Sequence, residues 1–388
     1  MSRPATVLVN LCWLVPGVVG GSEESMTDAL RAVRDDPPDD LALHLAVLEP
    51  FAAAHPDLAS AFEHSVLRLD GRNKALRVLA EQTWLARATR RVGAAAVHHA
   101  GGVVPLVHPG RVVLTVQDLQ PLDLPHNFAP AKRAYIRTMV GRSARAAAVV
   151  SVPSEFTRGR VVELLGVDPA RVVVVPWFPR PEPAPEHGPE PSGAGPAVLE
   201  RDTPFLLYPA ITYPHKNHLV LLDAFARVAA QHPEVTLVLT GGEAASEPEV
   251  RARIARPDLR GRVERTGRVP ASTLEELYRR ASAVVVPSRY EGFGLPVLEA
   301  QRAGAPLACS TAAALPEVAG EGAVYFDPSS AEAMAEAIRR CLADPALRDD
   351  LRRRGGANLQ RFSWERAARA TRAVYEAAAA GEVAGKRA

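Results

Sequence analysis

Short continuous apolar runs alternate along the chain with longer segments whose apolar positions recur every three or four residues. The first pattern predicts strands buried on both faces, and the second predicts amphipathic helices. In the first half, strands are expected over residues 6–13, 41–48, 95–98, 112–116, 147–152 and 172–175. The intervening helices fall at 23–34, 73–92, 130–145 and 154–165. In the second half, strands are expected over 205–209, 236–240, 263–266, 283–286, 306–309 and 323–326. Helices are expected there over 218–231, 272–280, 295–302, 330–343 and 364–380. Alternation of this kind implies parallel sheets joined by crossover helices, an α/β architecture of two doubly wound, Rossmann-like domains.

Between the halves lies residues 176–204, with nine prolines in 29 residues. Such a segment lacks the apolar side chains for a core and reads as an extended linker. The expected division is therefore an N-terminal domain over 1–178, a linker over 179–203 and a C-terminal domain over 204–362. A final helical segment, 363–388, is expected to pack back toward the N-terminal domain. Doubly wound domains bind ligands beyond the carboxyl ends of their strands. A cleft between the two is the expected site.

Composition narrows the function. With 47% hydrophobic and 23% charged residues, the chain has the balance of a soluble globular protein. A net charge of +2 and the absence of zinc, RNA-binding or helix-turn-helix signatures argue against nucleic acid as a partner. The three cysteines are few and widely spaced, which suits reduced thiols in a cytoplasmic protein. No apolar run reaches the roughly 20 residues of a membrane span. Charge is uneven, however. Residues 68–145 carry 13 basic and four acidic groups, a patch suited to an acidic acceptor, to peripheral contact with an anionic membrane, or simply to water.

The segment Tyr290-Glu291-Gly292-Phe293-Gly294-Leu295-Pro296-Val297-Leu298-Glu299-Ala300 holds the most explicit chemistry. A strand ends before it, and Pro296 suits the first turn of a helix. The amides near Gly294 and Leu295 then lack helical acceptors and sit at the positive end of the helix dipole, which makes an anion site. Glu291 in the loop and Glu299 one turn into the helix flank that site. Two hydroxyl-accepting carboxylates around diphosphate-binding amides suit a sugar nucleotide. Lys216, between a strand and a helix, is placed to offset charge on a departing diphosphate. No D-x-D stands at a strand end and no His/Cys cluster has metal spacing, so no metal or other cofactor is expected.

The 285–300 segment resembles the signature of glycosyltransferase family 4, retaining enzymes of GT-B fold that include mannosyltransferases. Residues 115–122, 126–128, 151–157, 213–218, 315–318 and 362–365 are similar to further family segments, in order. The resemblance implies that Glu291 contacts donor-sugar hydroxyls and that Glu299 binds the nucleotide ribose. It places the amides of Phe293, Gly294 and Leu295 on the diphosphate, and Gly21 beside the donor across the cleft. Gln117 stands where members commonly carry histidine, with Asp118 beside it as an acceptor-proton or hydroxyl ligand. His98 and His99 end a strand near the expected cleft; one is a candidate acceptor contact, and a capping or core role fits them equally well. Ile211 replaces a frequent arginine, so another basic residue must complete the cationic clamp or Lys216 acts alone.

The implied activity is transfer of a hexose, with mannose one candidate, from a nucleoside-diphosphate sugar to an acceptor hydroxyl. That acceptor is a glycan, a lipid-linked sugar or a small molecule. The alternatives are a non-catalytic sugar-nucleotide-binding subunit and a sugar-nucleotide epimerase of similar architecture.

Overall fold

The computed structural model describes residues 4–18, 21–178, 196–201 and 203–381. Its contacts divide into two compact units. One comprises Met1–Phe178 with Trp364–Ala388, the other Pro179–Ser363.

The first unit is built on seven parallel strands. These are β1 (Ala5–Asn10), β2 (Leu41–Leu48), β3 (Glu63–Leu67), β4 (Ala96–His99), β5 (Arg111–Thr115), β6 (Val149–Val152) and β7 (Val172–Val174). Their order, β3-β2-β1-β4-β5-β6-β7, reverses direction between β1 and β4. β3 is absent from the sequence-based expectation. Only Val66 and Leu67 of its five residues are apolar, and it is an edge strand with one covered end. The helix expected from residue 23 begins at Gly21 and runs to Asp35. Glu23 closes that turn, accepting the Gly17 amide at 2.8 Å and meeting His55 Nε2 at 2.9 Å.

Trp364–Ala380 lies on this sheet beside Gly21–Asp35. Its Val374, Tyr375 and Ala378 are buried with Val7, Val9, Leu30, Val113 and Val149. The Tyr375 hydroxyl also meets His98 Nδ1 at 2.9 Å.

The second unit carries β8 (Phe205–Pro209), β9 (Thr236–Thr240), β10 (Val263–Gly267), β11 (Ala283–Val286), β12 (Leu307–Ser310) and β13 (Val324–Phe326). All are parallel in the order β10-β9-β8-β11-β12-β13, with the reversal between β8 and β11. Leu221, Phe225 and Val228 of helix His218–Ala229 and Met334 and Ile338 of helix Ala331–Ala343 pack into its core. Helices Glu247–Ile254 and Pro345–Leu359 were not expected from sequence; their charged surfaces leave only a few buried positions each.

Most of the expected linker, 179–195 and 202, lies outside the described residues. Its described end departs from the expected exposed spacer. Ala197–Glu200 forms a short helix with Val198 buried. The Glu264 carboxylate accepts the amides of Ala197 and Val198 at 2.6 and 3.0 Å, satisfying two donors that a helix start leaves open.

Candidate functional site

In the second unit, the reversal in strand order places the segments after β8 and β11 side by side. Lys216 follows β8 in a 3-10 turn, Pro214–Lys216. Asn217 ends that turn in the left-handed region at φ 64°. Its amide side chain donates to the carbonyls of Pro287 and Pro328 at 2.9 and 2.8 Å. The Tyr208 hydroxyl donates to the Lys216 carbonyl at 2.8 Å and lies 3.2 Å from Ser288 Oγ. These bonds fasten the lysine loop to the segments that follow β11 and β13 before the Lys216 side chain itself is counted. Lys216 Nζ then donates to Glu291 Oε1 at 2.6 Å.

The two groups predicted separately therefore share one ion pair, with 19% and 13% of their side-chain surfaces exposed. Burial works to raise the Glu291 pKa. The charges of Lys216 and His215 and hydrogen bonds from Lys216 and Ser288 outweigh it, holding the carboxyl below its ordinary value. His215 is pushed down to about 4 by burial, reinforced by Lys216.

The turn after Glu291 has the expected form. Gly294 sits at φ 107°, and a Cβ there would lie 2.7 Å from Leu315 Cδ2. Both facts require glycine. Helix Leu295–Arg302 starts immediately after it, with Pro296 in the first turn. The Phe293 side chain is buried and meets Phe362 edge-on, at 5.7 Å between ring centres, so only its backbone remains for a ligand. Glu299 accepts a 2.6 Å hydrogen bond from the Tyr278 hydroxyl. Burial raises the Glu299 pKa, and Tyr278 and Arg302 offset this only in part. Sequence reasoning missed Tyr278, since nothing in its local pattern marks it as a partner of Glu299.

Two arginines, Arg265 within β10 and Arg268 just beyond it, lie beside the segment that follows β9. Arg265 is committed, donating to the carbonyls of Gly241 and Gly242 at 2.7 and 3.2 Å and pairing with Glu247 at 3.1 Å. Arg268 is exposed, and its guanidinium makes no hydrogen bond or ion pair among the described residues. Its Nε lies 3.3 Å from where a Gly242 Cβ would stand, and Ile211 Cγ1 lies 3.7 Å from the same point. Arg268 and Ile211 thus border the same open side of Gly242.

In the first unit, Gly21 is exposed at the start of its helix, with open space where a Cβ would be. The neighbouring Ser22 hydroxyl donates to Gln117 Oε1, which brings the Gly21 turn and the end of β5 together. Asp118 is exposed and its Oδ1 accepts the Gln120 amide at 3.1 Å.

His98 and His99 both take the core role, one of the two readings open for them. His98 is buried, its ring nitrogens taken by Tyr375 and Thr115 at 2.9 and 2.7 Å, and burial lowers its pKa to about 4. His99 is buried on the other face, with Nδ1 3.3 Å from Asn10 Nδ2 and Nε2 unpaired. Burial, then His98, His108 and Arg142, bring its pKa to about 3. Both rings sit in the fold because alternate strand positions 98 and 99 face opposite covered sides of the sheet.

Comparison with known proteins agrees with this arrangement. Residues 196–357 match the family model "Glycosyl transferases group 1", and residues 20–178 match "Glycosyltransferase Family 4". O-antigen chain mannosyltransferase B of Escherichia coli is 28% identical over 69% of this chain and 70% of its own. A D-inositol 3-phosphate glycosyltransferase of Nocardioides sp. is 30% identical over 87% of this chain and 76% of its own. Anabaena Alr3699/HepE, solved with UDP and glucose, superposes with a TM-score of 0.72 at 18% identity, covering 96% of this chain and all of that one. That likeness is one of fold, two Rossmann-like domains of GT-B type. With both halves matched in order and the paired glutamates in the strand–turn–helix setting, the chain belongs to glycosyltransferase family 4, and its activity is glycosyl transfer.

Proposed function

We propose that the protein transfers a hexose from a nucleoside-diphosphate sugar to an acceptor hydroxyl, with retention of anomeric configuration and without a metal cofactor. The observation that carries this reading is the Lys216–Glu291 pair beside the helix start at Gly294–Leu295, with Glu299 held by Tyr278 one turn away. Diphosphate oxygens accept from the Gly294 and Leu295 amides, and Lys216 turns from Glu291 to the same group when donor arrives. Glu291 then accepts from donor-sugar hydroxyls and Glu299 from the ribose. Arg268 supplies the second cation that Ile211 cannot, so charge built up on the leaving diphosphate is met from two sides.

The bond from the anomeric carbon to the diphosphate oxygen breaks as the acceptor oxygen bonds that carbon from the same face. The acceptor proton passes to the departing phosphate oxygen, and nucleoside diphosphate leaves. Gln117 does not shuttle a proton in this scheme; it and Asp118 orient hydroxyls. Mannose is the first sugar to test, since O-antigen chain mannosyltransferase B is among the relatives.

Thermal melts with GDP-mannose, UDP-glucose, UDP-N-acetylglucosamine and dTDP-sugars should single out one donor class, because a ligand that binds only the folded chain raises its melting temperature. That donor should then yield product of retained configuration by NMR in the presence of chelator. Inverted product, or transfer that a chelator abolishes, overturns the corresponding part of the proposal. Stabilisation by a donor that is never transferred would instead mark a binding subunit.

A further inference from the structure

The helix Lys74–Ala80 has the sequence KALRVLA and none of its residues is buried. Asn73 caps it by accepting the amides of Ala75 and Leu76 at 3.1 and 3.2 Å, so it is well formed without being covered. Leu76 and Leu79 are 52% and 63% exposed, and with Val66 and Trp84 they line one open groove between this helix and the end of β3. Leu106 and Val107 are also exposed, and the Leu106 amide donates to Gln82 Oε1 at 2.7 Å, which ties that loop to the helical segment that follows Lys74–Ala80. Apolar side chains gathered in this way on a soluble unit mark a contact surface.

Charge says what it contacts. Residues 68–91 hold seven basic and two acidic groups. The side chains of Arg68, Arg72 and Lys74, at the rim, make no hydrogen bond or ion pair among the described residues. Leucines with free cations at their border match a bilayer surface bearing anionic headgroups: the apolar chains enter the headgroup–acyl boundary and the cations meet lipid phosphates.

We propose that the groove and the Lys74–Ala80 helix dock the first unit onto an anionic membrane, lying in its surface and not crossing it. No helix among the described residues is long and apolar enough to span one. The docking is independent of the donor assignment, because none of these residues belongs to the second unit.

The test is co-sedimentation of the full chain with vesicles of phosphatidylcholine alone or mixed with phosphatidylglycerol. Binding is expected only to the mixed vesicles and should weaken as salt rises. Arg72→Glu and Lys74→Glu should each lower partitioning at least about five-fold, the equivalent of about 1 kcal/mol per basic residue. Leu76→Ser with Leu79→Ser should lower it by more than about tenfold. These exposed substitutions should leave the melting temperature and donor binding of the wild type in place. The proposal is overturned if the wild type stays in the supernatant with mixed vesicles, if the double serine variant still pellets, or if gel filtration shows the leucines joining two copies of the chain instead.

Discussion

Replacing Lys216 by methionine keeps most of the apolar stem and removes the charged, donating ammonium at its end. Nζ lies 2.6 Å from Glu291 Oε1, and little of either side chain reaches water. A hydrogen bond to a charged group contributes ~1.5–3 kcal/mol, and breaking a fully buried ion pair costs about 3–5 kcal/mol. This pair is mostly but not fully dry, so a loss of about 2–3 kcal/mol is expected at neutral pH. For a unit of this size that is a fall of about 4–12 °C in melting temperature.

The pH dependence has a definite sign. In the wild type the folded pKa of Glu291 is held below its ordinary value, so its contribution to stability is present above that value and lost as pH falls through the folded pKa. Without Lys216, burial dominates and raises the folded pKa, which penalises the fold at neutral pH and relents on acidification. The gap between the two melting curves should therefore be widest near neutrality and close in acid. Adding Glu291→Gln to the variant should recover most of the stability but none of the activity. Transfer should fall about 10²–10³-fold in kcat, as for loss of one charge-stabilising donor. Melting scans across pH and a coupled nucleoside-diphosphate release assay read the two effects separately. Turnover within a few-fold of wild type, or a melting gap that does not narrow in acid, would refute the reasoning.

Two more outcomes are expected. Arg268→Ala should raise the donor Kd about tenfold, one charge-assisted hydrogen bond, and Ile211→Arg added to it should restore binding by calorimetry. An unchanged Kd would remove Arg268 from the clamp. Glu81, partly buried near Asn10, has its pKa raised from 4.5 to about 7 chiefly by desolvation. Between those values the folded chain holds a proton that the unfolded chain releases, so stability should fall as pH rises through that window. Glu81→Gln should flatten the slope and melt higher than wild type above about pH 7; a slope that survives the substitution places its origin elsewhere.

The parallel-sheet pattern of both halves was legible because buried strands such as Ala283–Val286 and Phe205–Pro209 are unbroken apolar runs. Glu63–Leu67 was not, since an edge strand needs little apolar surface and its partner supplies the register. The glutamates were legible as a local motif, a turn and a helix start within eleven residues. Their partners were not. Lys216 meets Glu291 across 75 positions only because β8 and β11 are neighbours in the sheet. Tyr278 and Arg268 reach the site from other elements, and the sequence left His98 and His99 open between a core and an acceptor role because a strand end does not show what covers it.

The terminal helix has a consequence for how the protein is made. Val374, Tyr375 and Ala378 complete the core of the first unit, yet they are synthesised after the whole of the second. The second unit is one continuous stretch and can close as soon as it leaves the ribosome. The first emerges earliest and waits longest, with the apolar bed for Trp364–Ala380 uncovered until the last residues arrive. A stop codon before residue 364 would thus spare the later-made domain and leave the earlier one to aggregate.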